Sequence, residues 1–325
     1  MLNRRHAAAL VVVVTAFATP AAVFAQGYPD KTIRWVVPYP AGGGSDFLSR
    51  TIGTQLSKQI GHPVTIENKP GGNTAIAASE LARSAPDGYT LLSVDNGTMV
   101  FNSALYSKLS YNPAKDLMPV MLMGRFPMIL VVNPNSDYRD AKDFVAKAKA
   151  SPGKINYGSA GAGSPHHLAM ELLKVNAGLH MVHIPYRGAA PALTDLAGGQ
   201  VNAMMVDLAA GAGFIKGGKV RPLAVAHATR LAQLPDVPTF AELGFKGIEA
   251  AAQVGLVVPA GTPVDVVDTL QKQVASIVQQ PAIRQKLVDF GIEPIGSTTQ
   301  QYSDLNRAEV QRWHKLIRDQ KISLD

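Results

Sequence analysis

Short apolar runs bounded by Pro, Gly or Asn alternate along the chain with segments whose apolar side chains recur every three to four residues. The runs read as strands and the periodic segments as helices. In the first pair, Ile33-Arg34-Trp35-Val36-Val37 is a buried strand, stopped by Pro38 and Pro40 and followed by Gly42-Gly43-Gly44. Ser45 is then expected as the N-cap of a helix with Asp46 in its first turn. Leu48, Ile52 and Leu56 form its apolar stripe and Gly61 ends it. The same order returns later: Ile155-Asn156-Tyr157 is a strand, residues 158–163 a second glycine loop, and Ser164 an N-cap with Pro165 at the first helical position. Leu168, Leu172 and Val175 form that helix's stripe before Gly178. Such a junction leaves backbone N–H groups free at a helix start, where they attract an anion. Read singly, each is only a tight turn; as a pair, they are expected to face one small anion.

Between and after these junctions the pattern continues. Residues 64–66 and 89–94 are strands and residues 74–84 a helix, so the chain opens β-α-β-α-β, which predicts a parallel sheet with right-handed crossovers. Asp95-Asn96-Gly97-Thr98 is a polar loop at a strand's C-terminal end, where open α/β sheets hold ligands. Residues 106–118 read as irregular. Strands follow at 119–124, 128–132, 181–185, 201–206 and 220–226, with helices at 141–150 and 189–197. Residues 127–230 therefore read as a second α/β unit inserted between two parts of the first, 26–126 and 231–325. Residues 234–238 are a rigid linker, 239–243 a short helix and 254–258 a strand, and the C-terminal quarter is helical at 264–278, 282–290 and 299–322.

Residues 1–25 read as a secretory signal. Arg4 and Arg5 form its basic region, residues 7–18 an apolar stretch too short to span a bilayer, and Val23-Phe24-Ala25 a cleavage site. Arg4-Arg5 also fits twin-arginine export; the general secretory route is preferred. The 325-residue chain carries a net charge of +7, and loss of the signal removes two of its 31 basic residues and none of its 24 acids, leaving +5. The basic residues are scattered without interleaved aromatics, which argues against nucleic acid, while a mild positive potential favours small anions. There is no Cys, hence no disulfide and no lipid-anchored cysteine. A periplasmic monomer is expected.

Competing chemistries fit poorly. Ser45-Asp46 and Ser164 with His167 suggest a hydrolase, but neither serine sits in a G-x-S-x-G elbow. His166 and His167 are adjacent, about 100° apart on a helix, whereas joint metal ligation there uses i, i+4 spacing. No Lys follows Gly42-Gly43-Gly44 as in a phosphate-binding P-loop. No enzyme, cofactor or metal is expected. A ligand sensor that presents its closed form to a membrane signalling partner is the alternative to a transport component.

Eight segments in order carry a resemblance: Tyr28–Arg34, Pro38–Asp46, Pro86–Leu92, Ile155–Ser159, His183–Gly188, Asp195–Val201, Leu234–Thr239 and Pro259–Pro263. Together they resemble the Bug (Bordetella uptake gene) family, the substrate-binding component of tripartite tricarboxylate transporters. The resemblance implies an α/β, two-lobe periplasmic-binding fold of type II, each lobe a mostly parallel sheet flanked by helices, with the ligand in the cleft. It implies a small carboxylate held between the two glycine loops, partly through waters, and delivered to integral-membrane transporter subunits. Carried over, the first loop is Tyr39–Asp46 (Tyr39, Pro40, Ala41, Gly43, Ser45 and Asp46). The second is Ser159–His167 (Ser159, Ala160, Gly163, Ser164 and His167), and Asn96 and Gly97 line the side. The sequence departs from the family where many members carry Trp in place of Gln253 and a longer neutral segment at Val206-Asp207-Leu208. Gln253 and Asp207 are therefore candidates to tune the far end of the ligand, with a solvated loop acid the plainer reading of Asp207.

Overall fold

The computed structural model describes residues 27–325; the expected signal lies outside the described residues. The chain runs β1 (Ile33–Val37), α1 (Gly44–Ile60), β2 (Val64–Asn68), α2 (Ala75–Ala82) and β3 (Thr90–Val94). A wide helical turn at Gly97–Phe101, α3 (Asn102–Leu105) and α4 (Pro113–Asp116) lead into β4 (Leu117–Val132). Next come α5 (Ala141–Ala150), β5 (Asn156–Ser159), α6 (Pro165–Ala177), β6 (Val182–Pro185) and α7 (Ala189–Ala197). After them stand β7 (Ala203–Asp207), α8 (Leu208–Lys216), β8 (Arg221–Val225) and β9 (Ala251–Pro259). The chain closes with α9 (Val264–Gln279), α10 (Pro281–Asp289), β10 (Glu293–Pro294) and α11 (Thr299–Asp319).

The strands lie in the order β2-β1-β3-β9-β4-β7-β5-β6, with β10 and β8 also paired to β4. The outer pairs β1/β2, β1/β3, β5/β6 and β5/β7 are parallel; β9 and β4 run antiparallel to their neighbours in the middle. The two strands expected at 119–124 and 128–132 are one. Its first part pairs with β9 and its last five residues with β7 and β8. Register shifts at Pro119/Met121 and Leu122/Gly124 bend it so that Gly124-Arg125-Phe126-Pro127, which reads as a break, stays in the ladder.

After β8 the chain keeps contact with both halves, Gln233 Nε2 donating to Val288 O of α10. It also follows the second half, with Val225 N–H donating to Pro238 O at 2.9 Å and Leu231 and Leu234 against the α7/β7 core. It crosses at Ala250, whose N–H donates to Ala226 O at 2.9 Å. The helix expected at 239–243 is a turn, because Thr239 bridges to Val225 as a strand would. α8 escapes sequence reading because Gly211 and Gly213 interrupt it. At 211 a Cβ would stand 3.1 Å from Val206 Cγ1, so helix and strand are in close contact there.

One core cluster runs through both halves, from Val36 and Leu92 through Met128 and Leu130 to Tyr157 and Leu168. α11 braces it from outside: Trp313 meets Phe101 edge to face, centroids 5.2 Å apart.

Candidate functional site

The C-terminal ends of β1 and β3, adjacent and parallel, meet those of β5 and β7, also adjacent and parallel. From the first pair come α1 and the turn at 97–101; from the second come α6 and α8. The two sets touch at two places. A Cβ on Gly44 would lie 3.2 Å from Ala209 Cβ, and one on Gly163 would lie 2.7 Å from Leu105 Cδ1 and 3.1 Å from Asn73 Nδ2. The second glycine loop thus abuts the segment after β2, which is itself strained: Asn73 and Thr74 have φ of 46° and 75°, costly for a β-branched Thr.

α1 begins two residues earlier than expected. Gly43 is its N-cap and supplies no side-chain bond, and Ser45 lies inside the first turn. The N–H groups of Gly44, Ser45 and Asp46 therefore have no acceptor among the described residues, and the Ser45 hydroxyl has no partner there either. Asp46 turns inward and is 3% exposed. Its carboxylate accepts from Gly42 N (2.9 Å), Asn68 Nδ2 (2.8 Å) and Arg50 Nε (2.9 Å). Burial would raise its pKa; Arg50, Gly42 and Asn68 outweigh it and hold the group below the usual carboxylate range. Tyr39 is drawn inward, its hydroxyl donating to Asp95 Oδ2 and its carbonyl accepting from Asn68 Nδ2 at 2.9 Å. Pro40, Ala41 and Gly43 are exposed.

The polar loop expected at 95–98 is the start of the wide helical turn. Asp95 Oδ1 accepts from Thr98 N at 3.1 Å and closes it. Burial pushes the Asp95 carboxyl up and the Tyr39 phenol far up, so the phenol keeps its proton. Gly97 is buried in the turn. Asn96 is 2% exposed; its Oδ1 accepts from Gln253 N at 2.6 Å, and its Nδ2 has no partner.

In the second loop Ser164 is the N-cap of α6, accepting from His167 N at 3.3 Å and donating to Gly161 O at 2.7 Å. The N–H groups of Ala160, Ala162 and His166 have no acceptor among the described residues. Ser159 is fully buried and bonded to His183 Nε2 (2.6 Å) and Gly161, so it holds the loop. His167 is likewise inward. Its Nδ1 accepts from Gly163 N at 3.0 Å and its Nε2 lies 3.7 Å from Glu171 Oε1, while its ring stacks on His183 with centroids 3.9 Å apart.

Asp207 is neither a loop acid nor free for a ligand. It is the N-cap of α8, with Oδ1 accepting from Ala210 N at 2.9 Å and Oδ2 2.8 Å from His166 Nε2. Burial raises its pKa, but the His166 ring and the Ala210 amide bring it below the usual range. His166, weighed in the sequence only as a metal ligand, is 8% exposed and its Nδ1 has no partner. Its place directly after the Ser164-Pro165 cap was the signal available. Among the described residues no group of His, Asp and Glu has metal-site spacing. A surface depression of ≈ 510 Å³, lined by Phe47, Gln285, Lys286 and Phe290, shares no residue with these strand ends.

The three acids around the strand ends thus turn inward, and the unpartnered groups are backbone N–H donors, the Ser45 hydroxyl, the Asn96 amide and one imidazole nitrogen. A family model, the tripartite tricarboxylate transporter family receptor, matches residues 48–322. The chain belongs to this receptor family. BugT of Bordetella pertussis is 32% identical, the alignment covering 98% of each chain. An R. palustris protein solved with adipate is 35% identical with a TM-score of 0.84, covering 90% of this chain and 97% of that one. MatC from Rhodopseudomonas palustris with bound malate is 32% identical with a TM-score of 0.80, covering 89% and 99%. The fold is therefore the α/β fold of periplasmic binding proteins, and the family is one of solute-binding receptors rather than enzymes.

Proposed function

We propose that the protein captures a small carboxylate between the two glycine loops and delivers it to integral-membrane transporter subunits. In this reading it is a periplasmic monomer whose signal at 1–25 has been removed. Its lobes are the sheet halves divided at β4, the first built from both ends of the chain and the second running to Ala250. The observation that carries the reading is the uncapped start of α1, three free N–H groups beside the unpartnered Asn96 Nδ2 at adjacent strand ends.

No Arg is needed. A helix start contributes about 0.3–1 kcal/mol to an anion, up to about 2 when partly buried. Each hydrogen bond to a charge adds about 1.5–3. Micromolar binding needs about 8 kcal/mol, which two helix starts and several such bonds supply even when waters carry some of them. The adipate and malate found in relatives lend this support. A thermal-shift screen of small carboxylic acids against their amides tests it. At a hundred times Kd a ligand stabilises by about 2.7 kcal/mol, so an acid should raise Tm by several degrees and its amide should not. Equal shifts for acids and amides, or none for any acid, would sink the reading.

A further inference from the structure

Resting on that reading, we propose that His166 Nδ1 accepts a hydrogen bond from a hydroxyl or N–H of the bound carboxylate. The protein then selects carboxylates that carry such a donor over plain mono- and dicarboxylates.

The tautomer follows from the partner. His166 Nε2 faces Asp207 Oδ2 at 2.8 Å, and a carboxylate only accepts, so Nε2 carries the hydrogen. In the neutral ring Nδ1 is then a bare acceptor. Asp207 cannot turn away without losing the Ala210 N–H on its other oxygen at 2.9 Å, and this fixes the ring. Nδ1 is buried and unpartnered, a condition that native proteins rarely leave unexplained.

Its place is equally defined. His166 is the second residue of α6, at the end of β5, and Asp207 ends β7, the parallel neighbour of β5. The ring therefore spans two strand ends on the face where the second half meets Gly44 and Asn73 of the first. From the first half, Asn96 contributes the opposite kind of group. Gln253 N–H on Oδ1 fixes its amide so that the unpartnered atom, Nδ2, is a donor. A ligand that meets both the Asn96 donor at the end of β3 and the His166 acceptor beside the ends of β5 and β7 is a hydroxy- or amino-carboxylate. A protonated His166 would instead donate to a second carboxylate and select plain dicarboxylates.

The test is calorimetry on matched pairs: succinate with malate, glutarate with 2-hydroxyglutarate, hexanoate with 6-hydroxyhexanoate and with 6-aminohexanoate. In at least one pair the donor-bearing member should bind about tenfold tighter or better, the worth of one buried hydrogen bond. His166→Phe should abolish that preference, so that the affinity ratio within each pair falls to about one whatever the variant's absolute affinities. A second measurement needs no variant. In ¹⁵N-labelled protein the preferred ligand should move the His166 Nδ1 resonance toward the hydrogen-bonded range, and its plain partner should not. Plain dicarboxylates binding as tightly as their hydroxylated partners, or a doubly protonated ring in the complex, overturns this proposal alone. Failure of every carboxylate to bind overturns the receptor reading with it.

Discussion

Gly44 stands so close to Phe126 that a Cβ there would lie 2.6 Å from the ring edge and, on its other side, 3.2 Å from Ala209 Cβ. The start of α1 therefore seats against both the crossing strand and the start of α8. Ala is worth about 1 kcal/mol more than Gly inside a helix, so Gly44→Ala would be stabilising were there room. The expected outcome is the reverse in the closed form: ligand affinity falls at least about tenfold, and scattering shows a larger radius of gyration in saturating ligand. Unchanged affinity would show that the two helix starts do not approach in the bound state.

Asn96→Asp keeps the acceptor for Gln253 N–H and replaces the free donor with an anion. Losing a charged hydrogen bond costs about 1.5–3 kcal/mol, and repulsion adds to it. At pH 7.5 carboxylate affinity should drop about a hundredfold or more, with Tm within a few degrees of wild type. Calorimetry beside a melting curve decides; full affinity in the variant would remove Asn96 from the site.

Ser45 and Ser164 separate cleanly. Ser164→Ala removes a real cap and should cost about 1 kcal/mol, seen in the urea midpoint. Ser45→Ala removes none and should leave the midpoint unchanged. If both cost the same, the helix start at Gly44 is misassigned.

Stability should fall with acid, for a reason housed under the second loop. Burial and the neighbouring His167 push the His183 pKa down to about 3, from an ordinary 6.5. Glu171 is drawn down from 4.5 to about 2: burial opposes this, but His167, Lys174 and Tyr157 outweigh it. For both groups the folded value lies below the unfolded one, so the unfolded chain takes up protons that the folded chain refuses. This contribution to stability is complete above about pH 6.5 and is lost as pH falls toward 3, with Glu171 adding its share below about 4.5. Urea midpoints at pH 7.5, 5.5 and 4 should decline in that order, and His183→Phe should flatten the first interval. A wild-type midpoint constant across that range contradicts the assignment.

The alternation of apolar runs and stripes placed most of the strands and long helices, and α5 and α7 to the residue, because burial on one or two faces imprints a period. It missed α8, whose stripe two glycines interrupt, and it split β4, because Pro and Gly read as breaks unless the partners β9 and β10 are known. At the site, the two glycine loops were legible as motifs. What each side chain bonds to there was not: Asp46, Ser159, His167 and Asp207 read as ligand groups, and in the structure their partners are Arg50, His183, Glu171 and His166. Those partners are as near as four residues and as far as 41, and nothing in a linear pattern says which way a carboxylate turns. His166 was the converse case, weighed only as a metal ligand and set aside with that reading.

The crossing between the halves is stitched rather than tethered. Met128 N–H donates to Ala250 O at 3.0 Å, Ala226 N–H to Met128 O at 2.8 Å and Ala250 N–H to Ala226 O at 2.9 Å. Both covalent passages between the halves lie in this one ladder, as β4 and as the segment entering β9. Relative motion of the halves must therefore twist a short β-ribbon, which resists shear and in-plane bending far more than rotation about its own length. If the halves close on a ligand as proposed, a hinge of this build would have one soft axis, like a leaf spring, and would return the two helix starts to the same mutual register each time.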